Sequence, residues 1–193
     1  MARSAQDLPA DADTLVLTIG HSTRPIEEFL ELLEANGVQR VIDVRTVPRS
    51  RRNPQYDQAN LPASLEAAGI DYEQATALGG FRRTSDDSPN TGWRNLSFRG
   101  YADYMQTPEF EQALDQLMVT AHKERVALMC AEAVPWRCHR SLIADALVVR
   151  GVPVEEIISG PRRQIHKLTR FAKVEGTRIT YPPEALAPEH ESA

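Results

Sequence analysis

The sequence has few of the residues that build disulfide frameworks and no apolar run that suits a membrane span. Its 193 residues include two cysteines, and the N-terminal segment lacks the apolar core of a signal peptide. A spanning helix needs about 20 consecutive apolar residues, and the longest apolar runs here are far shorter. We therefore expect a cytoplasmic protein with no membrane partner, in which both cysteines stay reduced. Reduced cysteines serve as metal ligands, catalytic thiols or small buried side chains.

Positive charge is also scarce, and arginine carries nearly all of it. Basic residues number 22 against 27 acidic ones, giving a net charge of −5, and three of the basic residues are lysines. This balance argues against a basic coat over the whole surface. Many of the arginines nevertheless lie in loops that we expect at one edge of the fold: Arg45, Arg49, Arg51, Arg52, Arg82, Arg83, Arg94, Arg99, Arg137 and Arg140. Because guanidinium groups fit phosphate and carboxylate oxygens, these loops predict a site for a small anionic ligand.

Short apolar runs alternate with amphipathic segments along the chain. Strands are predicted at 14–19, 41–44, 70–75, 126–129, 152–158 and 178–181. Helices are predicted at 24–36, with Thr23 as cap, at 60–68, at 108–121, with Thr107 as cap, and at 141–150, with weaker helical patterns at 101–105 and 164–172. This alternation predicts a single three-layer α/β domain over residues 14–181, with a mainly parallel β-sheet and helices on both faces. Residues 1–13 and 182–193 are expected to be flexible.

The stretch 125–151 holds the densest set of candidate functional residues. A buried strand leads into a loop, and the loop leads into a helix beginning near Ser141. Such loops often bind ligands in α/β proteins, because free backbone N–H groups and the helix dipole converge there. The candidate residues of this loop are Cys130, Glu132, Arg137, Cys138, His139 and Arg140. His21 and Arg45 follow the ends of two other predicted strands, so we expect them at the same edge.

Thiol chemistry is the first function that these residues suggest. Cys138 is the preferred nucleophile, because it lies near the helix start between Arg137 and Arg140, which favour a thiolate. Cys130 is the second candidate, or else a small apolar residue that ends a buried strand. His21 is either a general acid or base or a structural residue. In this interpretation Arg45, Arg137 and Arg140 hold an anionic ligand, and Asp43 either orients a neighbour or pairs with Arg45.

Two other functions remain open. A metal-dependent enzyme would bind zinc or iron through Cys130, Cys138 and His139, together with Glu132 and His21. The spacing between the cysteines matches no closed zinc knuckle, and adjacent cysteine and histidine residues seldom share an ion, so the sequence requires no metal or other cofactor. A nucleic-acid-binding module would use loops 45–56 and 81–99, whose arginines and aromatic residues suit phosphates and stacked bases.

Motifs along the chain also carry a family resemblance. They are GHST at 20–23, IDVRTVPRSRRNPQY at 42–56, LGG at 78–80, FRGYADYM at 98–105 and MCAE…CHRSLIADAL at 129–147. Together they resemble the bacterial and archaeal domain of unknown function 488 family over about residues 14–181, which implies a shared fold without an assigned activity.

A second resemblance concerns the layout of the chain. Residues 25–45 are similar to the opening of a rhodanese domain, where a helix precedes a strand ending in Asp-Val-Arg. The unit of strand, Cys130, loop and helix resembles the rhodanese loop that wraps a sulfur or phosphate anion. Nine residues separate Cys130 from Arg140, which is longer than that loop. The resemblance implies a Rossmann-like or rhodanese-like arrangement of the sheet.

Overall fold

The structure, a computed structural model, describes residues 14–183. The predicted flexible segment 1–13 and positions 184–193 of the predicted tail lie outside the described residues. The α-helices are α1 Ile26–Ala35, α2 Leu61–Ala67, α3 Leu96–Tyr104, α4 Pro108–Ala121 and α5 Arg140–Val149. The strands are β1 Val16–Gly20, β2 Arg40–Asp43, β3 Asp71–Gln74, β4 Val126–Cys130, β5 Val154–Ser159, β6 Arg162–Ile165, β7 Lys173–Glu175 and β8 Arg178–Thr180. Among these described residues, none of the helices has the length and hydrophobicity of a membrane span.

Six strands form one sheet in the order β3-β2-β4-β1-β5-β6. The first five are parallel, and β6 pairs antiparallel with β5. Strands β7 and β8 form a separate two-stranded sheet. This topology confirms the predicted α/β class with a mainly parallel sheet. It places the carboxyl ends of β1, β2 and β4 side by side, since Gly20 pairs with Cys130 and Asp43 pairs with Met129.

Helices cover both faces of the sheet, as predicted. Consecutive strand residues point to opposite faces, so Val16 belongs to the core under α3, α4 and α5, whereas Leu17 belongs to the core under α1 and α2. All five residues of β1 and of β4 are buried. Burial on both faces explains why these strands read as continuous apolar runs rather than as alternating patterns.

The structure corrects three local predictions. The helical turn predicted at 101–105 is part of the longer α3, because the Asn95 side chain accepts a hydrogen bond from the Ser97 N–H and caps an earlier start. Segment 164–172 is not a helix, because its first residues belong to β6 and pair with the edge of β5. The cap position of α1 falls on Pro25, without a side-chain hydrogen bond, and not on Thr23. By contrast, the predicted Thr107 cap is present and accepts a hydrogen bond from the Phe110 N–H.

Candidate functional site

A cleft of about 470 Å³ opens at the carboxyl edge of the sheet, between the loops that follow β2 and β4 and the segment leading into α3. Its lining consists of Arg45, Thr46, Val47, Arg49, Gly80, Phe81, Asn95, Ser97, Phe98, Tyr101, Cys130, Ala131, Glu132, Arg137, Cys138 and His139. Three of these residues are arginines and one is acidic. We call this space the arginine cleft. Its charge balance favours an anionic occupant.

Cys130, Cys138 and His139 meet at the wall of this cleft and are called here the Cys–His cluster. Cys130 ends β4, and Cys138 lies two residues before α5. Both thiols are free and buried. The two sulfur atoms and a ring nitrogen of His139 all lie within 4.8 Å of one another. Three chemically reactive groups therefore face one small volume.

The orientation of the His139 ring follows from its hydrogen bonds. Its Nε2 lies 2.9 Å from the carbonyl oxygen of Val44, and because a carbonyl only accepts, Nε2 carries the hydrogen. Nδ1 is therefore the atom that faces the Cys138 sulfur, at 3.8 Å. A Cβ at Gly80 would lie only 3.2 Å from this Nδ1, so glycine leaves room for the ring. The structure thus turns two adjacent residues toward one point, which the sequence spacing did not predict.

The two thiols are electrostatically unequal. Hydrogen bonding with Cys130 lowers the pKa of the Cys138 thiol well below its usual value, and the nearby Arg140 charge acts in the same direction. The same hydrogen bond, together with burial, raises the pKa of Cys130. In this pair Cys138 is the favoured thiolate and Cys130 the protonated partner. The lower pKa of Cys138 has the direction expected from the sequence, and its greater reactivity stays a prediction.

Arg140 is buried and does not line the arginine cleft. Its Nη1 pairs with Glu156 on β5 at 3.1 Å, and its Nη2 donates to the backbone carbonyl of Glu132 at 2.7 Å. The Thr18 hydroxyl also donates to Glu156. Arg140 faces a separate pocket of about 390 Å³ that also includes Trp136. It therefore fastens the cysteine-bearing loop to the sheet, whereas the sequence had suggested an anion clamp.

His21 contacts three neighbouring residues and does not line the cleft. Its ring stacks on Tyr56 with centroids 4.0 Å apart, and its Nδ1 donates to the Ser22 carbonyl at 2.8 Å. Its Nε2 then accepts from the Arg45 guanidinium at 3.3 Å. Burial lowers the pKa of His21 to about 4, so the ring is neutral at pH 7. This geometry supports the structural interpretation, in which His21 positions Arg45.

The three arginines of the cleft differ in burial and in their bonding partners. Arg45 is buried, forms an ion pair with Asp43 at 2.6 Å, and donates to the Tyr56 carbonyl at 2.9 Å. Asp43 therefore has the partner that the sequence suggested. Arg49 and Arg137 are exposed, so their guanidinium groups can move to meet a ligand. The cleft therefore contains one buried arginine whose charge is offset by Asp43, and two exposed arginines, Arg49 and Arg137, that can contact a ligand.

The other arginines of the predicted anion site lie elsewhere. Arg51 and Arg52 are exposed but lie outside the lining of the cleft. Arg99 donates to the Trp93 carbonyl through Nε and Nη2. Arg82 stacks over Tyr104, with its guanidinium carbon 3.6 Å from the ring centroid. The arginines of the predicted anion site therefore form three groups. Some line the cleft, some are exposed outside it, and some hold other parts of the structure in place.

Sequence reasoning missed Tyr101 and the helix α3 that places it beside Phe98 in the cleft wall. Phe98 and Tyr101 line the cleft, and the Tyr101 ring lies 5.0 Å from the His139 ring, centroid to centroid. Their spacing of three residues places them on one face of a helix. The capping signal at Asn95 would have extended this helix and revealed that face.

The fold and the cleft together define an α/β protein with a cysteine–histidine centre at the carboxyl ends of its parallel strands. The family described as domain of unknown function DUF488 matches residues 25–147. Since this match covers more than half of the chain, the protein belongs to the DUF488 family. Comparison with curated proteins and with solved structures gave no significant match.

Proposed function

We propose that this protein is an enzyme that binds a small phosphate-bearing or otherwise anionic substrate in the arginine cleft. The Cys–His cluster supplies the reactive group. One observation carries the proposal: both thiols and the His139 imidazole line the same cleft as three arginines. A binding pocket that combines guanidinium groups with nucleophilic side chains suits group transfer from an anionic substrate.

The arrangement of the arginines supports the choice of substrate. Arg45 is oriented in advance by Asp43, Tyr56 and His21, so its guanidinium offers a fixed hydrogen-bond donor without a large ordering cost, while Asp43 offsets its charge. Arg49 and Arg137 add guanidinium groups that suit bidentate contact with phosphate or carboxylate oxygens. The size of the cleft, about 470 Å³, suits a small molecule.

Reduced thiols are a requirement of this proposal. Both cysteines are free, and they stay so in a reducing compartment. We therefore place the working protein in the cytoplasm.

The proposal predicts that the cleft favours negatively charged alkylating reagents. Iodoacetate and iodoacetamide carry the same reactive carbon, but only the first is an anion. In metal-free protein we expect Cys138 to react before Cys130, and to prefer iodoacetate over iodoacetamide by about 10-fold relative to a small thiol, because charge-assisted contacts contribute about 1.5–3 kcal/mol. Peptide mass mapping at neutral pH measures both the order and the ratio.

Matched variants make this experiment specific. Replacing Arg49 and Arg137 by alanine should remove most of the iodoacetate preference. Replacing Arg51 and Arg52 by alanine should leave it unchanged, because these exposed side chains lie outside the cleft lining. Both double variants should keep their stability within about 0.5 kcal/mol of the parent. An iodoacetate preference that survives in Arg49→Ala/Arg137→Ala would contradict the proposal.

The exposed Phe81 supports a second candidate function. Its side chain is 85% exposed at the cleft rim, where an aromatic ring could stack on a base. A nucleic-acid-binding module of this kind would use the exposed arginines outside the cleft as well. In that case Arg51→Ala/Arg52→Ala would weaken binding to single-stranded nucleic acid, and the affinity would fall steeply with salt.

A further inference from the structure

We propose that the Cys–His cluster is a binding site for zinc or a similar soft divalent cation, with an open coordination position that faces the arginine cleft. The ligands are Sγ of Cys130, Sγ of Cys138 and Nδ1 of His139. The inference rests on the proposed function only in assigning the open position to the substrate.

The distances within the cluster fit a tetrahedral ion. With Zn–S and Zn–N bonds of about 2.3 and 2.0–2.1 Å, two sulfur ligands lie about 3.8 Å apart and a sulfur–nitrogen pair about 3.6 Å apart. Cys138 Sγ and His139 Nδ1 are separated by 3.8 Å, and all three donor atoms lie within 4.8 Å of one another. Small side-chain rotations would bring each donor to bonding distance.

The surroundings of His139 also resemble those of a metal ligand. A histidine ligand usually donates its other ring N–H to a carbonyl or carboxylate, which fixes the tautomer and aims the ligand nitrogen. His139 has this arrangement, because its Nε2–H donates to the Val44 carbonyl at 2.9 Å. A Cβ at Gly80 would lie 3.2 Å from Nδ1, so glycine at this position leaves that nitrogen uncrowded. Orientation of the ring is therefore built into the fold before any ion binds.

The number of protein ligands distinguishes a reactive site from a structural one. Structural zinc sites are closed by four protein ligands, whereas catalytic zinc keeps three and leaves one position for water or substrate. Among the described residues, the cluster provides three donor atoms. Because all three residues line the arginine cleft, the fourth position points into it. An anionic oxygen held by Arg49 and Arg137 would lie beside this position.

Cobalt provides the test, since tetrahedral Co²⁺ bound to thiolates absorbs strongly in the near-ultraviolet and visible range. We expect metal-free, reduced protein to bind one equivalent of Co²⁺ and to release it to zinc. Cys130→Ser, Cys138→Ser and His139→Gln should each weaken binding by more than the about 10–100-fold that loss of an outer-shell partner costs. His122→Gln is the control, because that ring bonds Thr14 and is not part of the cluster. Cobalt binding that is equal in the cluster variants and in the control would overturn the site.

Two further measurements test the site without relying on the cluster variants, whose misfolding would also abolish cobalt binding. In the parent protein, bound zinc should shield both cysteines from alkylation, and a chelator should restore their reactivity. Adding inorganic phosphate should change the Co²⁺ spectrum, and Arg49→Ala/Arg137→Ala should reduce this change. Absence of cobalt binding and of zinc protection would refute the metal site while leaving the iodoacetate preference as a separate test of the cleft. If added phosphate leaves the cobalt spectrum unchanged, the proposed open coordination position that faces the cleft is refuted.

Discussion

Replacing Arg140 with methionine is expected to lower the free energy of unfolding by about 3–5 kcal/mol, because it leaves the buried carboxylate of Glu156 without a cationic partner. Arg140 is 1% exposed and Glu156 is 6% exposed, so water screens neither charge. Urea unfolding of the parent and the variant measures the difference. The double variant Arg140→Met/Glu156→Leu removes both charges, and it should recover much of the lost stability.

The pH dependence of this variant provides a second check. In the parent, burial already raises the pKa of Glu156 despite the opposing effect of Arg140. Removing Arg140 should raise that pKa further. A raised carboxyl pKa means that the folded state binds protons more tightly than the unfolded state, so stability is lost as pH rises from the unfolded pKa toward the folded one. The deficit of Arg140→Met should therefore shrink in acid. A deficit that is constant with pH, or a double variant less stable than the single one, would contradict this role for Arg140.

Replacing Gly20 with alanine is expected to destabilise the protein by about 3 kcal/mol or more, the upper range for overpacking. A Cβ at this position would overlap the backbone carbonyl oxygen of Glu132 and crowd the Cα of Ala133. Both atoms belong to the loop that carries the cysteines, and the Glu132 carbonyl also accepts the Arg140 hydrogen bond. The loop must move for the variant to fold, so the Cys–His cluster should be disrupted as well. Chemical denaturation and the cobalt titration measure the two effects.

Gly160 supplies the matched control for Gly20. It has a φ of +48° and open space where a Cβ would be, so alanine there should cost only the backbone strain of about 1–2 kcal/mol. The Gly160→Ala variant should keep the cobalt site of the parent. If Gly20→Ala costs no more than Gly160→Ala, the close approach of the loop to β1 is not what holds the cluster in place.

The fold could be predicted from the sequence because its central strands, β1 and β4, are buried on both faces. Runs such as Val126–Cys130 are apolar at every position, and the helices between them carry clear caps, of which Thr107 is an example. The rule that parallel strands share one carboxyl edge then places His21, Arg45 and Cys130 together. The helix prediction for segment 164–172 was wrong, because tertiary pairing outweighs the local pattern there. Its local pattern is compatible with a helix, but pairing with β5 decides its structure.

The chemistry of the site could be predicted only in part. The sequence identified the cysteines and arginines as candidate site residues, but it could not show which of their atoms lie close together. His139 was already a candidate ligand, but the orientation of its ring is set by the Val44 carbonyl, a backbone group that carries no sequence signal. Arg140 looked like an anion clamp because Glu156, its partner, lies 16 residues further along the chain. Contacts of this kind depend on the three-dimensional register of the strands.

The central claim is that the arginine cleft binds anions beside the Cys–His cluster, and a crystal structure with tungstate tests it most directly. Tungstate resembles phosphate in shape and charge, and the anomalous signal of its metal locates it without ambiguity. We predict one strong peak in the cleft, with tungstate oxygens within about 2.7–3.2 Å of the Arg49 and Arg137 guanidinium groups. A peak confined to the pocket beside Trp136, or at Arg51 and Arg52 instead of the cleft, would contradict the account.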